Sequence, residues 1–204
     1  MLISHKYKFI FIKTRKTAGT SLEVDLSKLM GENDVVTKIY PLEEGHLARN
    51  FILNNVEIYN HMSGSKLKNL LDNSIFENYF KFTIEREPVD KCVSYYSMLL
   101  NSTEHNKNTK ELTWDQFVEN RIFPIDHQLY TDNDGKLLVD KILKYENLKS
   151  DWEFLLKKFS IKYIPLISNS KAGFRTNPFI TDIQREIIYK EFNRSNKYTG
   201  YNLS

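Results

Sequence analysis

A chain of 204 residues, 41% apolar and 27% charged, is long enough to bury one core and reads as a single domain over residues 1–204. A net charge of +3, from 29 basic and 26 acidic side chains, excludes a polybasic nucleic-acid coat and leaves room for a local anion pocket. The single cysteine, Cys92, excludes an internal disulfide and points to a reducing, cytoplasmic setting.

The N-terminal stretch Met1–Lys13 has an apolar run that lysines break too early for a signal peptide. No later window approaches the roughly 20 apolar residues of a membrane helix, so no membrane anchor is expected. Tyr7–Ile12 predicts a first strand, and Leu22, Leu26, Leu29 and Met30 stripe a helix over Thr20–Met30 that Gly31 stops. Val35–Tyr40 and Val56–Tyr59 predict short strands, and Ser63–Leu71 a helix. Tyr79–Ile84 predicts another strand, with Pro88 opening a helix that runs to Leu100. Asn101–Glu111 is polar and without apolar periodicity, as in a loop. Thr113 with Gln116 predicts a capping box, and Thr181 with Gln184 a second one. Between them, Leu137–Leu143 predicts a strand and Leu148–Phe159 a helix. Strands alternating with helices predict an α/β fold: a central, mostly parallel sheet flanked by helices.

Two segments carry chemistry. Between the first strand and first helix lies Lys13-Thr14-Arg15-Lys16-Thr17-Ala18-Gly19-Thr20-Ser21-Leu22. Small residues let a ligand approach the backbone, amides at a helix N-terminus attract anions, Lys16 adds a cation, and Thr17, Thr20 and Ser21 add hydroxyls. The spacing is not that of a Walker A loop. The bland alternative is a capped helix with solvated lysines. The second segment is Phe80–Tyr96. Its strand ends on Glu85-Arg86, and Ser94 sits about two turns into the helix after Pro88. In a parallel sheet, ligands lie beyond the carboxyl ends of strands, so Arg86 shares an edge with Lys16. A guanidinium can hold a phosphate by two hydrogen bonds. Alone, Arg86 pairs equally well with Glu85, Glu87 or Asp90 on the surface.

Together the two segments resemble the sulfotransferase superfamily that uses 3′-phosphoadenosine 5′-phosphosulfate (PAPS). Lys16-Thr17-Ala18-Gly19-Thr20-Ser21-Leu22 is similar to the 5′-phosphosulfate loop of the carbohydrate branch, in heparan-type and bacterial members. Phe82–Pro88 with Ser94 resembles the 3′-phosphate motif, and Tyr145-Glu146-Asn147-Leu148 a third segment that begins a helix. The resemblance implies a P-loop-like fold and sulfuryl transfer from PAPS to a hydroxyl acceptor, most plausibly a glycan. It leaves 3′-phosphoadenosine 5′-phosphate (PAP) as product, and no metal is required. It implies a cofactor site of Arg15, Lys16, Thr17, Ala18, Gly19, Thr20, Ser21, Arg86 and Ser94, with Lys171 and Arg175 from a C-terminal basic loop. Two departures stand out. Arg15 stands where the family often has Pro, which adds charge and removes rigidity, and Glu87 stands where Asn is common, near an expected phosphate.

Sulfuryl transfer needs charge relief on the leaving phosphate, assigned to Lys16, and a base for the acceptor hydroxyl. His61, just upstream of the 3′-phosphate strand and after a strand-like run, is the candidate base, with a helix cap as its bland alternative. Glu57, Glu85 and His127 are substitutes. His46 and His127 are candidates to line the acceptor site, while His5 and His105 read as solvated. Acceptor specificity is expected in the loops Asn101–Glu111 and Asp126–Gly135. Two readings compete with the transferase: a P-loop kinase or NTPase, and a catalytically silent nucleotide- or glycan-binding module.

Overall fold

The computed structural model describes residues 1–101, 111–166 and 175–203. Most of the polar loop expected at Asn101–Glu111, with His105, lies outside them.

Five strands form the central sheet: β1 (Leu2–Ser4), β2 (Phe9–Phe11), β3 (Val35–Val36), β6 (Phe80–Glu85) and β7 (Lys141–Lys144), in the order β3-β1-β2-β6-β7. β2, β6 and β7 run parallel, in register Phe11↔Phe82 and Ile84↔Leu143. β1 pairs antiparallel with both β2 and β3, so the sheet is mixed: parallel on one side and antiparallel on the other. The first expected strand, Tyr7–Ile12, holds β2, and the unexpected β1 before it makes the pair a hairpin. Asp34 holds its turn, with Oδ1 accepting the His5 and Lys6 N–H groups and Oδ2 accepting the Ser4 hydroxyl.

Alternation along β2 and β6 decides the two faces. Phe9, Phe11, Phe82 and Ile84 face the cluster of Leu22, Leu26, Trp152, Leu155 and Phe159. Ile10 and Ile12 face Ile58, Met62, Leu67, Phe76 and Tyr130. The first cluster is covered by α1 (Gly19–Ser27) and α7 (Leu148–Lys158), and the second by α2 (Gly64–Leu70), α3 (Asn73–Asn78) and α6 (His127–Tyr130). A third cluster joins α4 (Pro88–Asn101), α5 (Trp114–Glu119) and α8 (Asp182–Glu191) around Tyr96, Trp114, Phe117 and Ile188. The short helix α9 (Asn193–Thr199) follows α8. Both expected capping boxes are formed, at Thr113/Gln116 and Thr181/Gln184.

Several expected elements are shorter or differently placed. α1 ends at Ser27, where the Ser27 hydroxyl bonds back to the Val24 carbonyl and Leu29 N–H bonds to Leu26. Val56–Tyr59 contributes only β5 (Val56–Glu57), which pairs with β4 (Ile52–Leu53) in a separate ribbon. Asn54 and Asn55 both have positive φ, at 50° and 62°, which suits the tight hairpin turn between them. The residues after β5 are therefore not the end of a strand of the main sheet. Asp126–Gly135 was expected to be variable surface, but Asp126, Tyr130 and Thr131 are buried.

Phe82 is the centre of the aromatic wall, 5.1 Å from Phe11 and 5.7 Å from Phe9 between ring centroids. Phe82→Ala should cost about 3–5 kcal/mol of stability. Phe154→Ala, at a ring that is largely exposed on α7, should cost far less. Urea unfolding of both variants measures the difference.

Candidate active site

The parallel strands β2, β6 and β7 deliver three segments to one sheet edge. These are the loop 12–18, the turn Glu85-Arg86-Glu87, and a 3₁₀ turn over Tyr145–Asn147.

The loop is folded tightly beneath and open at the top. Thr14 Oγ1 donates to the Ile84 carbonyl of β6 and lies 3.0 Å from Thr17 Oγ1, with both threonines buried. Lys16 and Ala18 take positive φ, at 60° and 58°. These turns aim the chain into α1, whose N-terminus carries no side-chain cap. The first-turn amides of a helix have no intrahelical acceptor, so they face the loop as donors for an anion. Gly19 permits a close approach: a Cβ there would stand 2.9 Å from the Lys13 side chain. Thr17, Gly19 and Ser21 are buried, while Lys16, Ala18 and Thr20 are half-buried.

Arg15 behaves otherwise than expected. Its main-chain N–H and its Nε donate to the two oxygens of Asp126, each at 2.7 Å, and Nη2 donates to the Ile125 carbonyl at 3.0 Å. The residue anchors the loop rather than loosening it.

Arg86 is buried, not a surface-edge side chain. Nη1 donates to the Lys16 carbonyl at 3.2 Å, and the guanidinium lies over the Tyr145 ring, 3.9 Å from its centroid. The three segments are therefore in direct contact. Asp90, one turn into α4, pairs with Arg86 and also with Arg175. Asp90 and half-buried Ser94 lie four residues apart on one face of α4, and Arg86 stands in the turn just before that helix. Arg175 thus reaches the Arg86 end of the site, while Lys171 lies outside the described residues. Glu87 is turned away: its carboxylate accepts the Val89 and Asp90 N–H groups at 3.0 and 2.6 Å and the Tyr189 hydroxyl at 2.9 Å.

His61 sits against the base of the loop, where Nδ1 lies 3.0 Å from the Lys13 carbonyl. A carbonyl only accepts, so Nδ1 carries the proton and Nε2 keeps its lone pair. His61 does not cap α2, because the Ser63 side chain does. Burial and the neighbouring Lys13 ammonium push its pKa down to about 4. Lys13 is itself buried and paired with Glu23 at 2.7 Å. The Met1 ammonium contacts the other Glu23 oxygen at 2.6 Å, and His46 Nε2 lies 3.7 Å from that same oxygen. Burial opposes the charged form, yet the N-terminus and Lys13 hold the Glu23 carboxyl far below the usual carboxylate range.

The other base candidates sit elsewhere. Glu57 is exposed and pairs with Lys38 at 3.1 Å. Glu85 is buried against Lys91 at 2.7 Å. His127 is half-buried on α6. His5 was expected to be solvated, but its Nδ1 is 2.9 Å from the Tyr79 hydroxyl. The reading from sequence assigned Tyr145 and Asp126 no role beside the loop, whereas Asp90 is one of the ion-pair partners it allowed for Arg86. Tyr145 lies inside a segment already singled out, whereas nothing local marks Asp126.

A model of the sulfotransferase family matches residues 1–187, which takes in the loop, Arg86 and the Tyr145 turn. The chain belongs to the sulfotransferase family and so to a class of enzymes that transfer sulfuryl groups. No curated protein sequence matches it. No described helix is long and apolar enough to cross a membrane.

The depressed His61 pKa sets a pH dependence. The unfolded imidazole binds a proton near pH 6.5 and the folded one only near pH 4. Between these values the unfolded state holds more protons, so stability falls as pH falls from 6.5 to 4. The His61 contribution to that loss is on the order of 3 kcal/mol. Urea unfolding at pH 7, 5.5 and 4 should show a weaker decline for His61→Asn than for wild type. Parallel curves would contradict the assignment.

Proposed function

We propose that the protein transfers the sulfuryl group of PAPS to a hydroxyl of a carbohydrate acceptor. The observation that carries the reading is the Arg86 guanidinium bonded to the Lys16 carbonyl. It sets two anion-binding segments side by side, as a nucleotide with separate 5′ and 3′ phosphates requires.

The residues fit such a donor. The uncapped α1 N-terminus, with Lys16, Thr17, Ala18, Gly19, Thr20 and Ser21, suits the phosphosulfate end. Arg86 and Ser94, with Arg175 across Asp90, suit the 3′-phosphate. When bound, the donor supplies an activated sulfur and a phosphate leaving group. Lys16 stabilises the charge that develops on that phosphate in an in-line displacement. His61 holds its Nδ1 proton against the Lys13 carbonyl and turns Nε2 to the acceptor hydroxyl. A base with a pKa of about 4 is weak, but anionic donor groups beside it raise that value, so His61 becomes more basic as the site fills. The proton passes to Nε2 as the S–O bond forms and the hydroxyl oxygen becomes acidic. No step in this account needs a metal. The carbohydrate acceptor rests on the likeness of Lys16–Leu22 to the loop of the carbohydrate branch.

PAP at about 100 times its Kd should raise the melting temperature by about 5–10 °C without added metal. No shift with PAP, beside a clear shift with Mg-ATP, would hand the loop to a kinase. His61→Asn should keep PAP affinity while turnover with labelled PAPS and a glycan acceptor falls about 10²–10⁴-fold. Wild-type turnover in that variant would remove His61 from the chemistry.

A further inference from the structure

Beneath the two anion sites lies a chain of charges that the transfer reaction itself does not use. Asp126 is fully buried, and its Oδ1 and Oδ2 take the Arg15 Nε and main-chain N–H. The same Oδ2 lies 3.0 Å from the Lys91 ammonium. Lys91, fully buried on α4, also bonds Glu85 at 2.7 Å. Glu85 is the last residue of β6, directly before Arg86. The path Arg15–Asp126–Lys91–Glu85 therefore runs from one anion segment to the other through the protein interior. It holds two carboxylates and two cations, so each charge is compensated.

A brace of this kind has a reason to exist. The loop 13–18 carries positive φ at Lys16 and Ala18, a conformation that L-residues adopt only when their surroundings impose it. On its own sheet side the loop is tied down by Thr14 to Ile84. On the other side the Arg15 main-chain N–H donates to Asp126, while the Lys13 and Lys16 carbonyls accept from His61 and Arg86. Solvated ion pairs contribute little, whereas a carboxylate in a buried site, with its oxygens bonded, enforces one geometry and is costly to leave half-made.

We propose that Asp126 is a positioning residue for the anion loop, and that Lys91 locks it to Glu85 so that the spacing of the Lys16 and Arg86 segments is fixed before any ligand arrives. The inference rests on the donor-site reading only for what the fixed spacing is for. The brace itself is a statement about the loop.

The test reads the loop and the ligand separately. Amide hydrogen exchange is followed in wild type, Asp126→Asn and the milder Arg15→Gln, which keeps the Arg15 main-chain N–H bond. In Asp126→Asn, exchange of the amides from Arg15 to Gly19 should rise at least tenfold while β2 and β6 keep their protection. Arg15→Gln should give a smaller rise at the same amides, and it stands in if Asp126→Asn fails to fold. Unchanged loop exchange overturns the proposal. A rise spread equally over β2 and β6 also overturns it, because Asp126 would then support the fold at large. PAP titration of the same proteins forms the second arm, with affinity expected to fall about tenfold in Asp126→Asn. Wild type that fails to bind PAP defeats the donor reading and leaves the exchange result to decide the brace. Wild-type affinity in Asp126→Asn, beside good binding by wild type, defeats the positioning role alone.

Discussion

The parallel pairing of β2, β6 and β7 governs everything that follows. Parallel strands end on the same side, so three segments far apart in sequence leave the sheet at one edge. The register Phe11↔Phe82 and Ile84↔Leu143 then sets how far each segment projects. That register is held by burial: a one-residue slip would turn Phe9, Phe11 and Phe82 from one apolar cluster toward the other. The core that makes the fold stable and the geometry that makes the site usable are thus one constraint.

Charge is distributed at this edge with a clear division. Below the surface, Glu23 with Lys13 and Asp126 with Lys91 are closed ion clusters that compensate one another. Burial opposes charging Lys91, yet Glu85 and Asp126 beside it keep its pKa above the usual value. Nearer the surface, Asp90 pairs with both buried Arg86 and exposed Arg175. A phosphate arriving there shares two guanidinium groups with one carboxylate, so the local balance still favours an anion. His61 lies between the two layers, bonded to the loop and kept neutral by burial and by the nearby Lys13.

Much of this was legible in the sequence, for local reasons. Turn residues, capping boxes and apolar stripes act over a few positions, so α1, α4, α5, α7, α8 and β6 were found. The loop Lys13–Leu22 and the run Arg86–Ser94 announced themselves because they combine small residues, charge and a strand-to-helix change. Long-range pairing is where the reading stopped. Of the β1–β2 hairpin only β2 was expected, within Tyr7–Ile12, because the turn that pairs β1 with it is fixed by Asp34, a residue 30 positions from Ser4. Val56–Tyr59 was read as a strand without its partner β4, because alternation does not say which strand or sheet a segment joins. Asp126 stood in an expected surface loop, since its partners Arg15 and Lys91 are distant in sequence. Arg15 looked like a loss of rigidity where a Pro ring is common, and only the fold supplies the carboxylate that restores it.

The central claim is that the Lys16 and Arg86 segments act as one site on one doubly phosphorylated nucleotide. Calorimetric titration of PAP and of AMP into wild type and Arg86→Ala tests it most directly, because the two ligands differ in the 3′-phosphate alone. Wild type should prefer PAP by about 1.5–3 kcal/mol, the range for hydrogen bonds to charged groups, and Arg86→Ala should lose that preference while still binding AMP. Equal affinity of wild type for PAP and AMP, or a preference for PAP that survives in Arg86→Ala, would contradict the account.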